Sequence, residues 1–346
     1  MNQVSTLDRF RTDLDRVRRR ADRQLAELFD RAIAEETGPG RHGLAELRGM
    51  ALSGGKRIRP AFVHWAFVAG GGDPEDNRAI DAGSVLELLH TFALVHDDVM
   101  DESPTRRGLP TLQVTFAERH RALGLRGCPD RYGENMAILL GDFAFLLCTE
   151  LATTLPRPAL RTFYRSATRL MHGQYLDLET TATGEFDSET AARTARLKTG
   201  SYTVEGPLLI GAALAPHGRE IQAALEVYGR AVGQVFQLRD DLLDVFGEEA
   251  ETGKPVGGDI VHHKATRLLD IARSRATGRD RALLAQPVDL AAMRSLLIRT
   301  GAVDELECAI DSLVSQAVEA LYEAPMVSAG RESLIDAAHF AARRRA

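Results

Sequence analysis

Apolar residues recur at intervals of three and four along almost the whole 346-residue chain. That spacing places them on one face of an α-helix, whereas the alternating, β-branched runs that predict strands are absent from the sequence. Clusters of Gly, Pro, Asn and Asp mark loops between the predicted helices, as in VAGGGDPEDN and EEAETGKPVGGD. No long Pro-, Gly- or Ser-rich linker divides the chain. We therefore expect one all-α domain, built as a helical bundle.

The predicted domain has three parts. An amphipathic N-terminal helix with interspersed charges lies within residues 1–44, helices that carry the polar motifs occupy 45–275, and further helices fill 276–346. The chain ends in ARRRA at 342–346. That basic end is open to two interpretations, a segment that closes over a site or an ordinary solvated terminus.

Composition limits the function classes. A net charge of −6 gives no sign of general nucleic-acid binding, and 44% hydrophobic residues are enough for a large core. The cysteines are scattered at Cys128, Cys148 and Cys308, which fits a reducing compartment. Residues 1–20 have no signal-peptide pattern, and no stretch approaches the roughly 18 apolar residues of a membrane span. We expect a cytoplasmic protein without stable membrane insertion.

Two apolar helical segments, FALVHDDVMD and FQLRDDLLD, end in the same pattern, Asp-Asp-x-x-Asp. Positions i and i+4 share a helix face, so Asp97 stacks over Asp101 and Asp240 over Asp244. Two unit charges about 4 Å apart repel by about 4 kcal/mol at an effective dielectric near 20. Cations must offset that repulsion if the segments face each other. Oxygen ligands without a His or Cys cluster suit Mg²⁺, which completes its shell with water and phosphate oxygens.

Arginine replaces lysine almost everywhere in this chain, since 43 residues are Lys or Arg but only four are Lys. Each lysine lies in a glycine-containing or motif-adjacent segment, as a phosphate ligand would. The four are Lys56, Lys198, Lys254 and Lys264. Two further cations, Arg106 and Arg107, directly follow the first acidic motif. The sequence therefore predicts a site that binds Mg²⁺ and several phosphates.

The motifs GGKRIRP, DDVMD with RRG, GQYLD, KT, FQLRDDLLD and GKPVGGD, in this order, resemble those of trans-isoprenyl diphosphate synthases. The resemblance covers roughly residues 45–275 and continues more weakly to the end. It implies an isoprenoid-synthase-type helical bundle around a deep central cavity. It also implies a homodimer that condenses isopentenyl diphosphate with an allylic diphosphate, using three Mg²⁺ ions with Mn²⁺ as a substitute.

The resemblance also implies roles for single residues. The metal site comprises Asp97, Asp98, Asp101, Asp240, Asp241 and Asp244. Asp97, Asp101 and Asp240 are the direct ligands, whereas Asp98 and Asp244 act through water or from outside the coordination sphere. The allylic diphosphate is assigned to Arg106, Lys198, Lys254 and Lys264. Isopentenyl diphosphate is assigned to Lys56, Arg59, His90 and Arg107. Catalytic roles, with two side chains directing oxygens toward the developing allylic cation, fall to Lys198, Thr199 and Gln237.

Departures from the family pattern are few. Ala265 stands where the family often has a second lysine, which weakens the inferred hold on the diphosphate. His96 precedes the first motif either as a ligand or as a local hydrogen-bond partner. Arg239 precedes the second motif and either pairs with an acid or points outward. Residues 117–135 exceed a minimal loop and have no functional assignment.

Product length depends on what blocks the cavity beneath the first acidic motif. Phe92 stands five residues before Asp97 and Ala93 stands four before it. An aromatic residue at the fifth position resembles the short-chain synthases that make the C20 product. Helical geometry places Ala93 directly below Asp97 and turns Phe92 to one side. We expect geranylgeranyl diphosphate, with farnesyl diphosphate as the second candidate and a longer chain as the third.

Three other classes compete with this interpretation. A terpene cyclase shares the first acidic motif but has no use for Lys56, Arg59 and Arg107. A non-catalytic synthase subunit normally lacks one acidic motif, and both are intact here. A structural helical protein explains neither the lysines nor the paired motifs.

Overall fold

The computed structural model describes residues 6–184, 188–247, 257, 266–284 and 290–344. Helices dominate this part of the chain, which confirms the all-α class. They are α1 (Thr6–Glu35), α2 (Gly40–Leu52), α3 (Ile58–Ala69), α4 (Arg78–Met100), α5 (Leu112–Ala122), α6 (Pro129–Ala152), α7 (Arg157–Thr183), α8 (Ser188–Ala195), α9 (Gly206–Leu214), α10 (Gly218–Phe246), α11 (Arg267–Arg275), α12 (Gly278–Leu283), α13 (Leu290–Arg299), α14 (Ala302–Tyr322) and α15 (Ser328–Arg343). A π-helix (Arg196–Glu205) joins α8 to α9.

Helix α3 lies where two hydrophobic cores meet. Its residues from Pro60 to Ala69 are all buried, as expected of a helix that is apolar on every face. Phe62 and Trp65 belong to a core shared with α1, α10, α14 and α15. Val63 and Phe67 belong to a second core, shared with α2, α4, α6 and α7. The chain therefore packs on both sides of one central helix.

The acidic motifs lie at the C-terminal ends of α4 and α10. The apolar turns before them are buried in different cores, with Leu86 and Leu88 in α4 and Val232 and Val235 in α10. Burial of those turns fixes the direction of each helix. A helix C-terminus carries partial negative charge, so carboxylates there are unfavourable unless cations lie nearby.

A short hairpin follows α4, although the sequence shows no pattern that predicts strands. Its strands, β1 (Thr105–Arg106) and β2 (Leu109–Pro110), pair antiparallel. The two turn residues, Arg107 and Gly108, have φ of 54° and 75°, the positive values that a type I′ turn requires. Two-residue strands are too short to leave an alternating pattern in the sequence. The hairpin places Arg106 beside the first acidic motif and Arg107 beside the carbonyl of Ser53.

Helix α6 corrects one expectation. By length and composition it is apolar enough to cross a membrane, so the expectation that no stretch approaches such a span is wrong on that criterion. Only 33% of its most apolar window is buried, although α6 packs against α4 and α5. Large apolar side chains on its outer face are exposed, namely Leu139, Phe143 and Leu146.

Candidate active site

A cavity of about 1550 Å³ opens between the ends of α4 and α10. Side chains from α7, α8, the π-helix, α11 and α14 complete its walls. The cavity is lined by both acidic motifs, through Asp97, Asp101, Asp240, Asp241 and Asp244. Lys198 and Gln237, predicted from the sequence, line it as well. The structure therefore brings the two motifs and two of the predicted catalytic residues to one space.

The first motif is held by cations. Arg106 of the hairpin donates to Asp98 (Nε to Oδ1, 2.7 Å) and lies 3.5 Å from Asp97. Burial works against the charged form of Arg106, but its bond to Asp98 and the charges of Asp98, Asp97 and Asp101 raise its pKa above the ordinary value. Asp98 is only 1% exposed and does not line the cavity. Asp98 instead fixes the position of the Arg106 guanidinium through their hydrogen bond.

Lys198 lies between two carboxylates, one of which the sequence analysis did not single out. Its Nζ donates to Asp97 (3.0 Å) and to Asp177 of α7 (2.7 Å). Burial disfavours its charge, yet Asp97 and Asp177 together raise the pKa of Lys198. Asp177 is the aspartate of the GQYLD motif, so that motif could have identified it from the sequence. Lys198 is therefore a fully charged donor at the cavity wall.

Glycine at position 173 permits this arrangement. A Cβ there would lie 2.6 Å from the backbone nitrogen of Lys198 and 3.0 Å from the carbonyl carbon of Leu197. Real Cβ atoms do not approach backbone that closely, so only glycine lets α7 pack this tightly on the π-helix. Tight packing brings Asp177 and Lys198 into contact.

The second motif repeats the pattern of the first. Its middle carboxylate, Asp241, is 4% exposed and accepts a bond from Nε2 of Gln237 (2.8 Å). Asp240 is half exposed and forms an ion pair with Arg344, which also donates to the carbonyl of Phe236 (2.9 Å). Arg344 follows α15 and lines the cavity. Part of the basic tail therefore reaches the site, as one of the two interpretations of ARRRA expected.

The donor set fits divalent ions shared with a substrate. No three His, Cys, Asp or Glu side chains among the described residues come close enough to hold an ion by themselves. Mg²⁺ in proteins often takes one or two carboxylates and completes its octahedron with water and substrate phosphate. Carboxylates on two facing helix ends, all oxygen donors, match that mode of binding.

The residues predicted for isopentenyl diphosphate form a basic cluster outside the cavity lining. Arg107 donates to the carbonyl of Ser53 (2.7 Å), and burial together with Arg57 lowers its pKa. Lys56 stacks over the ring of Phe340 at 5.5 Å. Burial and the charge of Arg344 lower the pKa of Lys56, against the opposing effect of Asp240.

Arg59 and His90 complete the basic cluster and share one partner. The hydroxyl of Tyr202 lies 2.6 Å from Nη2 of Arg59 and 2.5 Å from Nδ1 of His90. Arg57, whose backbone φ is 50°, is buried and donates to Glu87 (2.8 Å) and Asp22 (2.7 Å). Neither Tyr202 nor Glu87 was predicted, because neither belongs to a recognised motif.

The aromatic residue before the first motif faces α6. The ring of Phe92 lies 5.1 Å from that of Phe145 and 4.6 Å from that of His96. Ala93 is partly buried in the same core. His96 bonds the carbonyl of Ile138 (3.1 Å), which favours the hydrogen-bond interpretation over the ligand one.

Four further residues were singled out from the sequence. Arg239 pairs with Glu307 through two bonds of 2.8 and 2.7 Å, one of the two alternatives for this residue. Lys254, Lys264 and the side chain of Thr199 lie outside the described residues, so their predicted roles stay predictions.

Comparisons with known proteins agree with the site. The family model for polyprenyl synthetase matches residues 44–293. Geranylfarnesyl diphosphate synthase of Aeropyrum pernix is 32% identical over 297 residues, which cover 82% of this chain and 88% of that protein. Geranylgeranyl diphosphate synthase of Sulfolobus acidocaldarius is 35% identical over 230 residues, covering 63% of this chain and 62% of that protein.

A solved structure extends the agreement to the fold. The geranylgeranyl pyrophosphate synthase from Corynebacterium glutamicum, complexed with isoprenyl diphosphate and magnesium, is 32% identical with a TM-score of 0.83. The match covers 96% of this chain and 99% of that one. The family model, the relatives and the fold all point to one family, and the chain belongs to the polyprenyl synthetase family.

Proposed function

We propose that this protein condenses isopentenyl diphosphate with an allylic diphosphate, head to tail and in the trans configuration, to make geranylgeranyl diphosphate. Family membership makes it a trans-prenyltransferase that produces a linear prenyl diphosphate. One observation carries the assignment of the site, namely that both acidic motifs line a single cavity together with Lys198 and Gln237.

On the allylic side, the chain supplies positive charge to a diphosphate. Lys198 stays protonated between Asp97 and Asp177 and can donate to a leaving diphosphate at the acidic motifs. Arg106, fixed by Asp98, adds a second cation. Divalent ions at the motifs, which we propose to be three Mg²⁺ replaceable by Mn²⁺, would stabilise the charge that develops as the C–O bond breaks. In the same proposal, Lys254 and Lys264 add cations to this diphosphate.

On the isopentenyl side, the basic cluster holds the second diphosphate. The cluster draws on four elements: Lys56 precedes α3, Arg59 lies in α3, His90 in α4 and Arg107 in the turn of the hairpin. Three of these side chains are a lysine or an arginine. The double bond of isopentenyl diphosphate then attacks the allylic carbon, from which the diphosphate has departed. That departing diphosphate takes the proton that the isopentenyl unit loses. Gln237 and Thr199 direct oxygens toward the positive carbon, so no nucleophilic side chain is needed. The remaining task of the cavity is to exclude water.

The proposed C20 product rests on the position of Phe92. Its ring packs on Phe145 across the gap between α4 and α6, beneath the first motif. That pair would end the space open to a growing prenyl chain, whereas Ala93 leaves the adjoining helix face open. Farnesyl diphosphate and longer products remain the alternatives.

We also propose that the protein is a cytoplasmic homodimer. Exposed apolar side chains follow the helical repeat on α6, and a matching set on α7 comprises Tyr164, Met171, Tyr175 and Leu178. Extended apolar patches on soluble proteins mark interaction surfaces. A second copy that covers both helices would bury the apolar face that makes α6 resemble a membrane span.

The direct test uses the purified protein with labelled isopentenyl diphosphate, Mg²⁺ and, in separate reactions, C5, C10 and C15 allylic diphosphates. The products are dephosphorylated and separated by chromatography. We expect label in an all-trans C20 alcohol with each starter. A C15 or longer alcohol would correct the product length, and no incorporation with any starter would contradict the reaction itself.

A further inference from the structure

The hydroxyl of Tyr202 lies between two residues assigned to isopentenyl diphosphate. Nη2 of Arg59 is 2.6 Å from the phenolic oxygen, and Nδ1 of His90 is 2.5 Å from it. Tyr202 is 5% exposed. The three side chains belong to α3, α4 and the π-helix, so one buried hydroxyl connects three elements at the basic cluster.

The direction of each bond follows from the chemistry of the donors. A guanidinium has only donors, so the phenolic oxygen must accept from Arg59. Burial raises the pKa of Tyr202 to about 12, so the phenol keeps its proton. That single proton is then donated to Nδ1 of His90, the one remaining partner. Nδ1 is therefore an acceptor and carries no proton of its own.

The other imidazole nitrogen must carry the ring proton. Burial, with the charges of Arg59 and Arg107, holds the pKa of His90 well below its ordinary value, so the ring is neutral. A neutral imidazole with an unprotonated Nδ1 is protonated at Nε2. Among the described residues, Nε2 of His90 has no hydrogen-bond partner.

Arg59 is positioned by the same tyrosine. The centre of its guanidinium lies 4.4 Å from the ring centroid of Tyr202, a cation–π contact. Thr203 accepts a bond from Nη2 at 3.2 Å, and the buried carboxylate of Glu87 lies 3.6 Å from Nη1. The guanidinium is thus held on one face by a ring and on its edges by oxygens.

We propose that Tyr202 is a positioning residue for isopentenyl diphosphate: its hydroxyl fixes His90 as the Nε2–H tautomer and holds Arg59, so that both present donors to the diphosphate. This inference rests on the proposed function. Diphosphate oxygens accept hydrogen bonds and donate none at neutral pH. The opposite tautomer would point a lone pair at an anionic oxygen, which repels instead of binding. Tyr202 therefore decides whether His90 attracts the diphosphate or repels it.

The test is Tyr202→Phe, which keeps the ring over Arg59 and removes only the hydroxyl. We expect the KM for isopentenyl diphosphate to rise about tenfold, while kcat and the KM for the allylic substrate stay within about twofold. The matched control is Tyr228→Phe, which removes another buried tyrosine hydroxyl; that hydroxyl is bonded to the carbonyl of Leu334 at 2.6 Å, and Tyr228 does not line the cavity. Its kinetic constants should match those of the wild type.

Nitrogen-15 NMR of histidine-labelled protein gives an independent readout, with the His90 signal assigned through His90→Gln. The wild type should show His90 as the Nε2–H tautomer, and Tyr202→Phe should lose that pure state. An unchanged KM for isopentenyl diphosphate, or an Nδ1–H tautomer in the wild type, would overturn the role of Tyr202 while prenyl transfer persists. A wild-type protein that condenses no substrate would instead remove the proposed function and this inference with it.

Discussion

At the scale of single residues, adjacent aspartates in each acidic motif perform different tasks. Asp98 and Asp241 are buried and bonded to Arg106 and Gln237. Successive residues on a helix point about 100° apart, so adjacent acids meet different partners. Asp98 does not line the cavity, whereas Asp97, Asp101 and all three aspartates of the second motif do. In the proposed site, the first motif therefore combines metal ligands with one buried acid that supports Arg106.

His64 predicts a dependence of stability on pH. Burial lowers its pKa from 6.5 to about 4, because the ring lies in the core of α3 and only Asp13 opposes the effect. The unfolded chain binds a proton more readily between these values, so stability is lost as pH falls from about 6.5 to about 4. The loss attributable to His64 is about 3 kcal/mol.

Urea unfolding at a series of pH values measures this loss. His64→Gln should flatten the difference in unfolding free energy between pH 7 and pH 4 relative to the wild type. His217→Gln, at an exposed histidine, should leave the wild-type slope unchanged. Equal slopes for wild type and His64→Gln would show that the ring is not held neutral.

Phe92 predicts a change in product length. Phe92→Ala removes the ring that packs on Phe145 and opens space beneath the first motif. We expect the main product to gain at least one isoprene unit, as read by chromatography of the dephosphorylated alcohols. Tyr322→Ala is the control, because Tyr322 is 63% exposed at the end of α14 and lies outside both the site and the proposed dimer face. A variant that still stops at the wild-type length would remove Phe92 as the block.

At the scale of elements, the sequence predicted the existence of helices better than their internal geometry. Within the helical region predicted for residues 45–275, the structure has α8, a π-helix and α9 in succession over residues 188–214. The apolar spacing cannot distinguish bonds from i to i+5 from ordinary ones over ten residues. The contact of Lys198 with two acids depends on that widened turn. The sequence motif therefore identifies Lys198 but does not predict that Asp97 and Asp177 both bond to it.

Packing of α7 on the π-helix is testable through Gly173. Gly173→Ala would place a Cβ against immobile backbone, so the two elements must separate. Because small displacements of a catalytic group are costly, we expect kcat to fall at least about tenfold. Steady-state kinetics and urea unfolding measure the effect, and overpacking should also lower stability by about 1–3 kcal/mol.

Gly49→Ala is the matched control for this substitution. Gly49 lies within α2, and no atom lies within 4 Å of the Cβ that the change would add. Alanine there should leave kcat unchanged and raise stability by about 0.5–1 kcal/mol, since it lowers the entropy of the unfolded chain. Wild-type kcat in Gly173→Ala would contradict the need for close approach.

In the proposed site, Arg344, directly after α15, competes with metal for Asp240. Arg344 forms an ion pair with this carboxylate and stacks over Phe236 at 4.7 Å. Arg344→Gln should therefore increase the affinity for Mn²⁺ about threefold or more in the absence of substrate, as measured by electron paramagnetic resonance of free Mn²⁺. Arg343→Gln, at the exposed neighbouring position, should behave as the wild type. Equal Mn²⁺ affinities for all three proteins would exclude the competition.

At the scale of the whole molecule, the predicted features were those that depend on local spacing. The all-α class and the lysines near motifs could be recognised from the sequence, because helical periodicity and motif order are local properties. The meeting of Arg59, His90 and Tyr202 could not, since it needs the packing of α3, α4 and the π-helix. The contact between Arg344 and Asp240 joins residues 104 positions apart, and no local pattern predicts it.

The outer face of α6 and α7 predicts the oligomeric state. Leu146 is 61% exposed on α6, in line with Leu139 and Phe143. We expect the wild type to sediment as a dimer, because a second copy buries this apolar face. Leu146→Glu would place a charge in that interface and should shift the protein to monomer at micromolar concentration, as measured by analytical ultracentrifugation.

Ile298→Glu is the control that separates an interface from mere surface. Ile298 is 60% exposed, almost the same as Leu146, but it lies on α13 beside α14 and away from α6. A charge there removes a similar exposed apolar side chain without touching the proposed interface, so the dimer should persist. If both variants dissociate, the loss comes from general destabilisation; if neither does, the second copy does not bind through α6.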